Sequence, residues 1–204
     1  MIKRSQRLIV SCKGVCGMNN DLNERLDKLR QIIQEPDFLE GRGLSNEVNI
    51  RMFCYDAADE MAVQHFTSQI VTDQNLKCNV VEYNLYKIFL EICSDLDILD
   101  SIPEMEQEEG SEFTLEQIHS AIGENEFISK MQEYGERKPG DIVLLTGIGD
   151  VFPFMRVHKM LEAVQPHYTD VPILVMYPGK FDGSYVRLFN KLTPNQYYRA
   201  FNVL

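Results

Sequence analysis

The residues best placed to do chemistry are Gly147-Ile148-Gly149-Asp150, which follow the apolar run 142–145 and precede Val151-Phe152-Pro153-Phe154-Met155-Arg156. A buried strand, a two-glycine turn and a helix start form the arrangement in which α/β proteins hold phosphates. Glycine lets backbone N–H groups approach an anion there, at the positive end of a helix. A loop that works on nucleotides continues with Gly-Lys-Ser/Thr, bringing an ammonium and a hydroxyl to phosphate and magnesium. Positions 150–153 here read Asp-Val-Phe-Pro. Asp150 would repel a phosphate, and bulky Phe152 stands where a dinucleotide fingerprint has its third glycine. The turn therefore reads as a tight strand-to-helix junction, with Asp150 helping to cap a helix that begins near Pro153.

Tyr177-Pro178-Gly179, with Phe181-Asp182-Gly183, reads as a turn-rich segment after a second apolar run, 173–176. In open α/β sheets, ligands bind beyond the carboxyl ends of the strands. Gly147, Gly149, Asp150, Arg156, Tyr177 and Gly179 are accordingly the candidate ligand or partner crevice, chosen by position. Arg156, Arg187 and Arg199 are isolated cations that could grip a carboxylate or a phosphate, or form internal ion pairs. His65, His119, His158 and His167 show neither metal spacing nor a nucleophile beside them. Glu104, Glu106, Glu108 and Glu109 read as a solvated face. No catalytic residue, metal site or cofactor is expected.

The elements that must position this crevice follow from periodicity. Leu22, Leu26, Leu29 and Ile33 mark an amphipathic helix ending before Pro36. A glycine-punctuated loop (38–47) leads into a strand at 48–55. Asp56 is placed to N-cap a helix from Ala57 to about Asp73. A strand (78–83) and a helix (85–96) follow. Residues 100–112 read as an acidic connector or short helix, and Thr114 with Gln117 has capping-box spacing before helical sequence that runs to about Glu136, interrupted at Gly123. A helix carrying Phe154, Val157, Leu161 and Val164 joins the two central apolar runs, and residues 197–204 could form an edge strand. Strands alternating with helices predict an α/β three-layer sandwich with a mostly parallel sheet, nucleotide-binding-like in topology but without a Walker motif.

The chain has 204 residues and a formal net charge of −11, so its surface as a whole repels nucleic acid and anionic membrane. No apolar run reaches the 18 or so residues of a membrane span. Residues 1–17 contain Lys3, Arg4, Arg7 and Lys13 and no acid. They read as a disordered tail or as sequence upstream of the natural start, with Met18 opening a single domain over 18–204. Cys12, Cys16, Cys54, Cys78 and Cys93 form no CxxC pair, as expected of reduced thiols in a cytoplasmic protein.

Several segments in order resemble the BrxB family of bacteriophage-exclusion (BREX) anti-phage systems. They are Gly43-Leu44-Ser45-Asn46-Glu47, then Tyr55-Asp56, then the stretch from Leu145 through Gly147, Pro153 and Arg156, then Tyr177-Pro178-Gly179, and finally Leu188-Phe189 with Tyr197-Tyr198-Arg199-Ala200-Phe201. The resemblance spans Leu22 to the C-terminus. It implies a cytoplasmic, non-catalytic accessory protein that contacts other BREX proteins, foremost a PglZ-type phosphatase-like protein and also the large ATPase. A ligand-sensing module that holds a nucleotide or other phosphate at the Gly147 crevice without hydrolysis is the alternative. An acidic body without DNA-binding charge suits a scaffold better than a DNA reader.

Overall fold

Apolar runs become strands and amphipathic stretches become helices, in alternation. The structure is a computed structural model describing residues 15–41, 49–181, 186–191 and 201–204, with side chains described from residue 21 onward except 201 and 202. Strands β1 (Ile50–Tyr55), β2 (Asn79–Asn84), β3 (Asp141–Thr146) and β4 (Ile173–Phe181) lie parallel in the order β2-β3-β4-β1. Strand β5 (Val186–Leu188) pairs antiparallel with the end of β4, and β6 (Phe201–Asn202) extends the sheet in parallel beyond β1.

The period-2 alternation of β-strands divides the core into two. Phe53, Tyr55, Val80, Ile142, Leu144, Leu174 and Met176 face helices α1 (Val15–Ile32), α2 (Pro36–Leu39) and α3 (Glu60–Thr72). The intervening residues, among them Met52, Cys54, Tyr83, Val143, Leu145, Val175 and Tyr177, face α4 (Leu85–Asp95), α6 (Ser111–Ala121), α7 (Glu124–Glu133), α8 (Ile148–Val151) and α9 (Val157–Val164). This is the expected three-layer α/β sandwich. The connection out of β1 covers one face, while those out of β2 and β3 cover the other, so the chain switches faces around the carboxyl end of β4.

Helix α5 (Ile102–Glu109) is peripheral: it buries no residue fully, touches the core on the α4 side only through Ile102, and leans on α6. Glu104, Glu106, Glu108 and Glu109 are all exposed on it, as a solvated face requires. Residues 88–129, from within α4 into α7, hold twelve Asp and Glu and no Lys or Arg. The other 162 residues then hold 20 basic against 19 acidic ones. The net charge of the chain is therefore the charge of one region.

Some local readings need correction. Thr114 is inside α6, which starts three residues earlier; its Oγ1 donates to the Gly110 carbonyl at 3.0 Å and caps nothing. The carboxylate-capped start is at Gly123, whose N–H donates to Glu126 Oε2 at 2.8 Å. Strand β4 continues through Tyr177-Pro178-Gly179 to Phe181, where a turn was expected. Helix α9 begins at Val157, so Pro153, which follows a cis peptide bond, lies in the turn between α8 and α9. Cys54, Cys78 and Cys93 are buried free thiols; Cys12 lies outside the described residues, as does the Cys16 side chain. Among the described residues no helix is long and apolar enough to cross a membrane.

Candidate functional site

At the carboxyl edge of the sheet, β1 ends at Tyr55, β2 at Asn84, β3 at Thr146, and β4 passes through Tyr177, Pro178 and Gly179. Strands β3 and β4 are neighbours, so the Gly147 turn and the Tyr177 segment do meet. Their glycines are explained by what touches them. Gly147 has φ +68°, the left-handed region, and caps the N-terminus of α8. A Cβ there would lie 2.5 Å from Asn84 Oδ1, and that oxygen already accepts the Lys87 N–H at 3.1 Å as the N-cap of α4. What fills the turn is thus an asparagine side chain from the neighbouring strand.

At Gly149 a Cβ would meet the Phe189 ring at 3.0 Å and Pro178 at 3.3 Å. At Gly179 it would stand 2.2 Å from the Arg187 backbone oxygen and 2.7 Å from Tyr177 Cε1, because β5 pairs antiparallel with this end of β4, with Gly179 opposite Leu188. Tyr177 is buried in the core. Asp150 is exposed and sits within α8, in place of capping the longer helix; Arg156 is exposed and occupies the N-cap position of α9.

Two motif residues carry the local polar structure. Asp56 accepts the Ala58 N–H at 3.0 Å and caps the single 3-10 turn (Ala57–Asp59) that opens α3. Tyr55, 4% exposed, donates its hydroxyl to Glu60 Oε2 at 2.7 Å. Burial, then the Glu60 hydrogen bond and charge, and lastly the Asp150 charge, push the Tyr55 phenol far above its ordinary range. Beside it Thr146 Oγ1 donates to Glu82 Oε1 at 2.5 Å, across neighbouring strands. Glu60, Glu82, Asn84 and Thr146 were absent from the sequence-derived set. Asn84 carried a signal, a short polar residue directly before an amphipathic run. Gly43, Asn46, Glu47 and Arg199 lie outside the described residues, as do Asp182 and Gly183.

Two cavities open on this edge. The one between Tyr55, Glu60, Glu82 and Thr146 measures about 20 Å³, room for about one water. The other, about 440 Å³, is lined by Asp21, Asp56 and Asp59 as well as Arg25 and Lys180. Arg25 is committed inward, donating to the Cys54 carbonyl at 2.5 Å with its guanidinium 4.7 Å from the Phe53 ring centroid. An anion entering this cavity would face three carboxylates. The buried Cys54 thiol, pushed up to about 11 mainly by desolvation, is held in its neutral form. No group of three His, Cys, Asp or Glu side chains among the described residues is placed to hold a metal ion.

The carboxyl edge is therefore built by close-packed glycines, caps and short hydrogen bonds. The family model for BREX protein BrxB matches residues 81–203. A BREX protein BrxB of Bacillus cereus (strain H3081.97) is 34% identical over 191 residues, covering 90% of this chain and 97% of the relative. One of Escherichia coli O9:H4 (strain HS) is 24% identical over 183 residues, covering 90% and 92%. No solved structure matches the chain. With a family model over more than half of its length and a relative aligned almost end to end, this chain belongs to the BrxB family of BREX proteins.

Proposed function

We propose that this chain serves BREX anti-phage defence as a non-catalytic adaptor in the cytoplasm. It acts by contact with other BREX proteins, a PglZ-type phosphatase-like protein foremost and the large ATPase next. Membership of a family named for the BREX system supports the defence role. The observation that carries the adaptor reading is the segregation of charge. A region of twelve acids and no bases sets its apolar residues, among them Phe89, Ile118 and Phe127, on the core and turns nearly all of its carboxylates to solvent, where they project a one-signed field. Such a field steers a basic partner surface and repels nucleic acid.

The carboxyl edge fits the same reading. Gly147, by its left-handed backbone, and Gly179, by the Arg187 backbone oxygen, are required by their surroundings, Gly149 is closely packed, and Tyr55 pairs with Glu60 as Thr146 does with Glu82. The test is affinity capture of this chain from cells carrying the whole operon, at low and at high salt. The PglZ-type protein is expected to co-purify and to be lost as salt rises. A solitary monomer under low salt in those cells overturns the adaptor reading.

A further inference from the structure

A second sizeable cavity, of about 470 Å³, lies at the opposite edge of the sheet, where the segment leading into β3 meets the one leading into β4. Its lining includes Gln132, Glu136, Arg137, His167, Tyr168 and Asp170. Arg137 is held in a fixed orientation. Its Nε donates to the Gly135 carbonyl at 3.2 Å, one terminal nitrogen donates to the carbonyls of Tyr134 and Gly135 at 2.6 and 2.8 Å, and the guanidinium lies 5.8 Å from the Tyr83 ring centroid. Its other terminal nitrogen has no hydrogen-bond partner, and no carboxylate lies within ion-pair distance, among the described residues. A pre-oriented guanidinium with unused donors is what recognition of an oxyanion requires.

The surrounding groups complete a ligand site. The Gln132 amide lies 3.2 Å from His167 Nδ1; with the amide donating, the imidazole carries its proton on Nε2 and offers a second donor. Glu136 and Asp170 supply acceptors that suit hydroxyl or amino groups. The Tyr83 ring lies beneath the Arg137 guanidinium and beside Tyr168, backing the cavity from within the core. The donors left over on Arg137 face this cavity, away from the well-satisfied carboxyl edge. A volume of about 470 Å³ is far more than an inorganic ion fills and falls within the range of small-molecule sites.

We propose that this cavity binds a small phosphate ester of nucleotide size, its phosphoryl oxygens on Arg137 and His167 and its hydroxyl or amino groups on Glu136 and Asp170. The site is separate from the carboxyl-edge crevice and from the acidic region, so it stands or falls independently of the adaptor reading. The test is calorimetric titration of the full chain with AMP, ribose 5-phosphate, adenosine and inorganic phosphate. AMP or ribose 5-phosphate binds saturably, and adenosine and inorganic phosphate bind at least about tenfold more weakly. Arg137→Met weakens binding by about tenfold or more, while Arg25→Met, in the other cavity, leaves it unchanged. Arg137 also braces the Tyr134–Gly135 backbone, so His167→Ala supplies a second variant at an exposed position, with an expected loss of about threefold. The proposal is overturned if no phosphate ester binds at about 1 mM, if adenosine binds as tightly as AMP, or if both site variants bind like the parent.

Discussion

The carboxyl edge of the sheet and the acidic region are both conspicuous in the sequence, but for opposite physical reasons. Glycines crowd the first because atoms of neighbouring strands stand where their Cβ atoms would be: Asn84 at Gly147, Phe189 at Gly149, the Arg187 carbonyl at Gly179. Carboxylates crowd the second at exposed positions, four of them along α5, a helix with no fully buried residue. One region is dictated from inside, by packing that fails if a single methyl group is added. The other keeps its apolar residues on the core and turns its carboxylates outward, where packing leaves them to answer to something outside the fold. A motif that looks like a ligand loop can thus be architecture, while a stretch that looks like a mere connector can hold the functional surface.

The sharpest way to break this comparison is at Gly179. In Gly179→Ala the new methyl would overlap the Arg187 backbone oxygen, which no side-chain rotation can move. Strand β5 must separate from β4, taking with it the 2.8 Å bond from the Phe189 N–H to the Pro178 carbonyl. A loss on the order of 3–5 kcal/mol is expected, to be read from urea unfolding of purified protein. A variant as stable as the parent would show that the edge tolerates side chains and that its glycine serves a ligand.

Gly147→Ala comes next. A left-handed backbone costs an alanine about 1–2 kcal/mol, and displacing Asn84 Oδ1 weakens the cap of α4 by about another 1 kcal/mol. The combined loss is about 2–3 kcal/mol by the same unfolding measurement. The double variant Gly147→Ala with Asn84→Ala separates the two causes, since removing the asparagine relieves the overlap while keeping the backbone strain. Non-additivity of about 1 kcal/mol is expected; strict additivity would mean that Asn84 and Gly147 do not interact.

How much of this was legible beforehand depends on the range over which each feature is decided. β3 and the first half of β4 were readable because strands covered on both faces are unbroken apolar runs. The continuation of β4 through Pro178 and Gly179 was not, because both are turn formers, and only the antiparallel pairing with β5 explains the glycine. Likewise Thr114-x-x-Gln117 has capping-box spacing, but Gly110, at φ +88°, lets α6 start earlier and places the threonine inside it. Gly147, Gly149, Tyr177 and Gly179 were picked out from sequence by their position after apolar runs, and they do lie at the carboxyl edge. Glu60, Glu82 and Thr146 were not, because β2–β3 register puts Thr146 beside Asn84 and within reach of Glu82, and nothing within either strand encodes which carboxylate the hydroxyl will meet.

Tyr55→Phe measures a smaller effect on the packed side of the comparison. Removing a buried hydroxyl that donates to a carboxylate is expected to cost about 1–2 kcal/mol near neutral pH. The sign with pH is set by the raised phenol. The folded state keeps Tyr55 protonated where the unfolded chain ionises near pH 10, so its contribution is complete below pH 10 and is lost as pH rises above it. Stability of the parent should therefore fall more steeply above pH 10 than that of Tyr55→Phe. Parallel alkaline limbs in denaturant titrations at several pH values would remove Tyr55 from the account.

The smallest expected effect on folding is the one that separates the two regions most cleanly. Glu104, Glu106, Glu108 and Glu109 are exposed, so replacing all four with lysine should leave the melting temperature within about 2 °C of the parent. Four reversals change the region's charge by eight units, from −12 to −4, and should slow association with a basic BREX partner by more than about tenfold at low salt. The difference should shrink as ionic strength rises and the Debye length falls to about 8 Å or below. Stopped-flow association across a salt series reads both quantities. An unchanged rate with an unchanged melting temperature would make these carboxylates solvating groups alone and return the search for a partner surface to the two edges of the sheet.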